Sequence, residues 1–329
     1  MNDERSKITS LHEPRRSVCE QGRWYCVDGD LSRDPGARRR CGTPCSRWCR
    51  RCRGTIARMS TPCDTPTLLY HDEYLVAMNK PPGLLVHRSA LAAEASQFAL
   101  QWLRHHLKRM VYPVHRLDRG TSGVLLMALD PDTARALARQ FEAQQVRKTY
   151  LALVRGWPAT CGEVDHPLRR LDEAAPRIDR GRSTDAQPAL TRYQRLARLE
   201  CASPLPPHPT ARYALMAVEP QTGRQHQIRR HFKHISHPLI GDATYGKGDH
   251  NRWWAARLGV SRLWLHAARL RLHHPVSGTP LTLQAPAGPA WATLLAEPGW
   301  QIEHPDALHE LLGGALAAHT RPSISSASA

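Results

Sequence analysis

The chain has no apolar run near the ~18 residues that a membrane span needs. Its first residues, MNDERSK, mix charges where a secretory signal would carry an apolar stretch. It has no phosphate-cradling glycine loop, no dinucleotide fingerprint and no serine in a nucleophile elbow. Lysine is scarce, at six residues against 40 arginines. These absences argue against a membrane-spanning or secreted protein, a nucleotide-loop enzyme and a serine hydrolase. They leave a cytoplasmic protein as the default, and any chemistry falls to Asp, Arg, Tyr and His without a cofactor.

What is present is positive charge. The formal net charge is +17 over 329 residues. Residues 1–63 hold 14 Lys+Arg and 7 Asp+Glu, a net of +7, so the remaining residues carry 17 − 7 = +10. The excess is therefore not confined to a tail. A basic folded region points to a polyanion, RNA or DNA, held through phosphate contacts. Arginine suits such contacts because its planar fork meets two oxygens at once.

Seven of the nine cysteines lie before residue 64. The stretch RRRCGTPCSRWCRRCRG, with almost no aliphatic residues, cannot build a core alone. Its C-x3-C-x3-C-x2-C spacing could close a tetrahedral zinc site, but paired C-x2-C knuckles with a long spacer are absent. Residues 1–63 are thus expected to be a disordered basic leader, or sequence upstream of a start at Met59, with no metal.

Regular patterning begins near Leu68. Strands are expected at 74–79, 123–129, 149–154, near Tyr193, and at 213–219, 262–272 and 280–286. The run GVLLMAL (123–129) is apolar throughout, as in a strand buried on both faces. Asp130 and Pro131 read as the N-cap and first residue of a helix that buries Ala134, Leu137, Ala138 and Phe141. A second helix follows the turn at Gly223, buries Ile228, Phe232 and Ile235, and ends before Pro238. Its other face carries His226, Arg229 and Lys233. His226, His231, His234 and His237 lack the spacing and acidic partners of a metal site and read as RNA-facing surface. Residues 155–210 look loop-rich, and from 302 the chain reads as a polar tail to 329. Strands and helices do not alternate steadily, so a doubly wound fold is not expected.

One stretch stands apart. HRLDRGTSG (115–123) sets Asp118 between two arginines and a histidine at the mouth of an apolar strand. Alone, Asp118 reads as a turn cap, an ion-pair partner or a reacting group. Three further stretches stand with it in order: NKPPG (79–83), KTYLALVRG (148–156), and TGRQHQIRRH with HPLIGDATYG. Together they resemble the RluA-type pseudouridine synthases, across about Leu68 to Trp300.

The resemblance implies an α+β pseudouridine synthase fold for residues 64–301, with a mixed, mostly antiparallel sheet flanked by helices. It implies a cofactor-independent isomerase acting on RNA, within the branch that modifies uridine 65 of tRNA. Ribosomal RNA is the alternative substrate; a non-catalytic RNA-binding or chaperone protein is the reading from another class. By the same resemblance Asp118 is the essential carboxylate, Arg229 its cationic partner and Tyr150 the residue against the uracil. Arg116 and His115 would hold the duplex open, Arg119, Arg224, Arg230 and Lys233 would meet phosphates, and Lys80 would contact RNA or orient the catalytic loop. No obligate protein partner and no membrane are implied.

Overall fold

The computed structural model describes residues 16–20, 23–27, 65–87, 98–171, 186–203 and 207–313. The chain divides into two units, Met1–Arg58 and Met59–Ala329. In the first, β1 (Arg16–Glu20) and β2 (Arg23–Val27) pair as an antiparallel hairpin. The sequence reading expected no regular structure there, yet RSVCE and RWYCV carry β-forming Val18, Trp24, Tyr25 and Val27 on either side of Gln21-Gly22. Cys41, Cys45, Cys49 and Cys52, whose spacing was weighed as a zinc site and set aside, lie outside the described residues.

The second unit opens with β3 (Thr67–His71), β4 (Leu75–Lys80), α1 (Ala99–Leu107), β5 (Tyr112–Pro113), β6 (Ser122–Ala128), α2 (Pro131–Glu142) and β7 (Arg147–Arg155). It continues through β8 (Cys161–Asp165), β9 (Leu168–Arg169), β10 (Ala186–Gln187), β11 (Leu190–Ala202), β12 (Thr210–Pro220), α3 (Gln227–His234) and α4 (Gly248–Leu258). It closes with β13 (Leu265–His273), β14 (Pro280–Gln284), α5 (Pro289–Leu295), β15 (Gln301–Ile302) and α6 (Pro305–Leu312). The main sheet runs β15-β11-β12-β7-β13-β6-β4-β3, with β14, β5 and β8 pairing alongside. Its described pairs are antiparallel except β6 with β13. The architecture is α+β with a mostly antiparallel mixed sheet.

Both faces of the sheet are covered, and the alternation of side chains sorts the core. Val124, Leu126 and Ala128 of β6 join Leu75 and Ala77 of β4 under Leu137 of α2. Leu125 and Met127 point the other way, with Val76 and Met78, to Ala99 and Leu103 of α1. Burying each large aliphatic side chain contributes about 1.5–3 kcal/mol. An all-apolar strand is stable only in such a double cover, which is why GVLLMAL lacks the polar alternation of a one-sided strand. In β7, Leu151 and Leu153 face one cluster while Ala152 and Val154 face another.

The 155–210 region was read as loop-rich with a strand near Tyr193, and that strand is the 13-residue β11, paired with β8 and β12. A bulge between Arg195 and Ala197 shifts its register and breaks the period-2 pattern along its length. One expectation is corrected as far as Gly313: where a polar tail was expected from 302, α6 lays Leu308, Leu311 and Leu312 into the largest described core cluster. Three apolar side chains on one face of a short, otherwise polar helix are easily lost in a reading by composition.

Candidate active site

The sheet sets the site. Tyr150 of β7 stands opposite Ala267 of β13, which stands opposite Gly123 of β6. With strands about 4.8 Å apart, this row brings the HRLDRGTSG loop beside Tyr150. Gly123, at φ 110°, is needed there: a Cβ would lie 2.2 Å from the Ala267 carbonyl oxygen. The loop then alternates. His115 turns inward, Arg116 is exposed, Leu117 is in the core, and Asp118 faces a cleft with its side chain 20% exposed. The Thr121 amide donates to the Asp118 carbonyl at 3.0 Å and closes the turn.

Arg229 approaches from α3. Its Nη1 donates to Asp118 Oδ2 at 3.1 Å. Its Nε and Nη2 donate to the two oxygens of Asp242 at 2.6 and 2.9 Å. Burial works against both charges, but each partner outweighs it: the Asp242 carboxyl is held below its ordinary range and the Arg229 guanidinium above its own. Asp242 also accepts from the amides of Thr244 and Tyr245 at 2.8 and 3.0 Å. The guanidinium carbon lies 5.1 Å from the Tyr245 ring centroid. Arg229 is thus buried, not on the solvent-facing cationic stripe expected with Lys233; Lys233 is exposed.

His226 stands at the N-cap of α3 with φ 54°, a left-handed conformation uncommon outside glycine. Its Nδ1 is 3.1 Å from the Tyr245 hydroxyl and its Nε2 is 3.8 Å from Asp118 Oδ1. The next residue, Gln227, fixes the helix start. Its carbonyl accepts from Thr222 Oγ1 and the Arg224 amide, while its amide donates to Leu190 and Thr191 of β11.

Lys80 is fully buried, and its ammonium donates to the carbonyls of Pro81, Leu84 and Arg119 at 2.9, 2.8 and 3.3 Å. Burial drives its pKa down to about 7, against the pull of Asp118. The Gly83 amide donates to the Arg119 carbonyl, and Arg119 Nε returns a bond to the Gly83 carbonyl. Lys80 thus ties NKPPG to the Asp118 loop and is too deep to meet a phosphate. His115 is likewise committed elsewhere. Its Nε2 accepts from the Leu126 amide at 2.9 Å, its ring stacks on Phe141, and burial lowers its pKa to about 4. The phenol of Tyr150 is pushed above its ordinary range, first by burial and then by the Asp118 charge.

Asp118 opens into a cleft of about 360 Å³ whose wall includes Arg116, Arg169, Arg170, Arg224 and His226. Arg230 does not line it; its Nη1 donates to the Arg169 carbonyl at 2.9 Å. Of the four histidines expected at an RNA-facing surface, two point elsewhere. His231 is fully buried with Nε2 on the His166 carbonyl, and His237 Nδ1 sits on the Arg155 carbonyl. Among the described residues no group of His, Cys, Asp and Glu is arranged to hold a metal, and no helix is long and apolar enough to cross a membrane.

A carboxylate paired with a buried arginine at the foot of a basic cleft fits what comparison with known proteins returns. The family model described as RNA pseudouridylate synthase matches residues 74–234. The chain is 47% identical over 240 residues to the tRNA pseudouridine synthase C of Pectobacterium carotovorum subsp. carotovorum, spanning 73% of this chain and 64% of that protein. It is 47% identical over 234 residues to the protein of the same name from Yersinia pestis, spanning 71% of this chain and 91% of that one. The chain belongs to the RNA pseudouridylate synthase family. Among solved structures, human RNA Pseudouridylate Synthase Domain Containing 4 aligns over 69% of this chain and 91% of its own, with a TM-score of 0.51 and 28% identity. The synthase is an isomerase acting on RNA.

Sequence reasoning missed several residues that line this synthase's cleft or support Arg229 behind it. Arg169 and Arg170 lay in a stretch read as loop. Asp242 and Tyr245 were quoted inside HPLIGDATYG but given no role, and they fall beyond the segment matched by the family model. The signal for Asp242 was an acidic residue after a glycine that must lie against the Arg262 carbonyl, where a Cβ would come to 1.7 Å.

Proposed function

We propose that the synthase converts a uridine of tRNA to pseudouridine, at uridine 65, working in the cytoplasm. The substrate class follows the names of relatives at 47% identity. Support for the chemistry rests on one observation: Asp118 has one oxygen on Arg229 and its open side toward an arginine-walled cleft.

In this reading the N1–C1′ bond of uridine breaks, the base turns, and a C5–C1′ bond forms. C5 loses a proton to solvent and N1 gains one, so no electrons change hands and no cofactor is required. Asp118 supplies the carboxylate that engages the base or its sugar, and Arg229 keeps a fixed cation against it. Tyr150 packs against the uracil. A phenol is protonated at neutral pH, and burial and the Asp118 charge push its pKa further up, so as the resting group it packs rather than serves as a base. A uridine within a stem must leave its stack, at a cost of a few kcal/mol. Arg116, exposed beside Asp118, fills the gap. Arg224 and Arg170 meet phosphates.

The test is tritium release from C5-labelled uridine in tRNA and ribosomal RNA transcripts, with wild type and Asp118→Asn. Release from tRNA by wild type alone supports the reading. Release from ribosomal RNA alone keeps the chemistry and moves the substrate. RNA binding without release from either leaves a binding protein.

A further inference from the structure

Three side chains, Arg229, Tyr245 and His226, close a ring with the reacting carboxylate. Arg229 holds Asp118 Oδ2 at 3.1 Å, and its guanidinium lies over the Tyr245 ring at 5.1 Å. The Tyr245 hydroxyl is 3.1 Å from His226 Nδ1, and His226 Nε2 completes the circuit 3.8 Å from Asp118 Oδ1. The two oxygens of Asp118 therefore have different nearest partners, Oδ2 with Arg229 and Oδ1 with His226.

We propose that His226 is a second positioning residue for Asp118, oriented by Tyr245. The tyrosine hydroxyl donates to Nδ1, which leaves the imidazole proton on Nε2, facing Oδ1. At 3.8 Å the contact is electrostatic, and a small swing of the carboxylate toward the substrate shortens it to a hydrogen bond. Catalytic hydrogen bonds commonly tighten in this way only as the reaction proceeds. The backbone supports a dedicated role: a left-handed conformation at a non-glycine residue costs free energy and clusters at functional sites. That conformation turns the imidazole into the cleft. With Arg229 on one oxygen and His226 near the other, the carboxylate is confined to a narrow range of orientations, and errors of about 1 Å in a reacting group can cost about a hundredfold in rate.

This inference rests on Asp118 being the reacting carboxylate, so Asp118→Asn runs beside every variant; activity in Asp118→Asn would remove that reading, independently of His226. The deciding pair is His226→Asn and His226→Gln, assayed for tritium release on the substrate found above. Asparagine tolerates the left-handed conformation and places its amide near Nδ1, so it keeps the backbone and the Tyr245 contact. Glutamine places its amide near Nε2. The expected result is a kcat about tenfold to a hundredfold lower for His226→Asn, KM within about twofold, an unchanged melting temperature, and recovery of most of kcat in His226→Gln. Tyr245→Phe should show a weaker loss in kcat. The proposal is overturned if His226→Asn turns over like wild type, if its loss lies wholly in KM, or if His226→Gln is no better than His226→Asn.

Discussion

Arg229 meets Asp242 through two parallel hydrogen bonds, at 2.6 and 2.9 Å, with the Asp242 side chain wholly sealed from water and that of Arg229 10% exposed. The pair holds the guanidinium so that its third face reaches Asp118. Removing one partner of a buried pair strands the other charge, a loss of about 3–5 kcal/mol. Asp242→Ala should therefore lower the urea midpoint by that equivalent and abolish tritium release. Arg229→Lys keeps the charge but loses the fork; it should fold and turn over at least about a hundredfold more slowly. Wild-type turnover in Arg229→Lys would show that the paired geometry is dispensable.

Lys80 makes stability depend on pH. Its folded-state pKa, about 7, lies below its ordinary 10.5. Between those values the unfolded chain binds the extra proton, so raising the pH favours the folded state. The Lys80 contribution is greatest above about 10.5, shrinks as pH falls, and reaches its floor below about 7. Urea midpoints from pH 6 to 9.5 should rise with pH in wild type, across the window between about 7 and 10.5, and lose most of that rise in Lys80→Met.

His115 separates a structural from an RNA-contacting role. His115→Ala leaves the Leu126 amide without its acceptor, at a cost of about 1–3 kcal/mol. The salt dependence of RNA affinity should not change. A reduced salt slope with unchanged stability would restore the contact role expected from the sequence.

Arg170 lies exposed on the cleft wall. Arg170→Ala should weaken RNA binding and lower the slope of log affinity against log salt by about 0.7–1, as for one lost phosphate contact. The kcat should hold. A fall in kcat at saturating RNA would place Arg170 in the reaction instead.

The C-terminal helix belongs to the folded unit. Leu311→Ala should cost about 2–5 kcal/mol, since Leu311 is 2% exposed in the largest cluster. Ending the chain at Glu303 removes Leu308, Leu311 and Leu312 together and should abolish cooperative unfolding.

What is local or repeated along the chain was legible from residue order alone. A continuous apolar run marked β6, because a strand covered on both faces is apolar along its length, and shorter apolar stretches marked β4, β7 and β12. The cap Asp130 with Pro131 marked α2, and its carboxylate does accept from the Thr133 amide at 2.8 Å. Four ordered motifs pointed to the family and to Asp118, Tyr150 and Arg229. Where the pattern was interrupted the reading was incomplete: the strand near Tyr193 was legible but the bulge in β11 hid its extent, and α6 was read as part of a polar tail. Which way each charged group faces depended on the packed fold. Arg229 and Lys233 share a helix, yet one is buried on two carboxylates and the other is in water. Lys80 and His115, chemically fit to meet RNA, are spent on backbone groups of the Asp118 loop and β6. Burial and partnership depend on residues distant in sequence: Asp242 is 13 positions from Arg229, and Asp118 is 111. A single sequence shows what a side chain is able to do, and the packing around it settles which partner it takes.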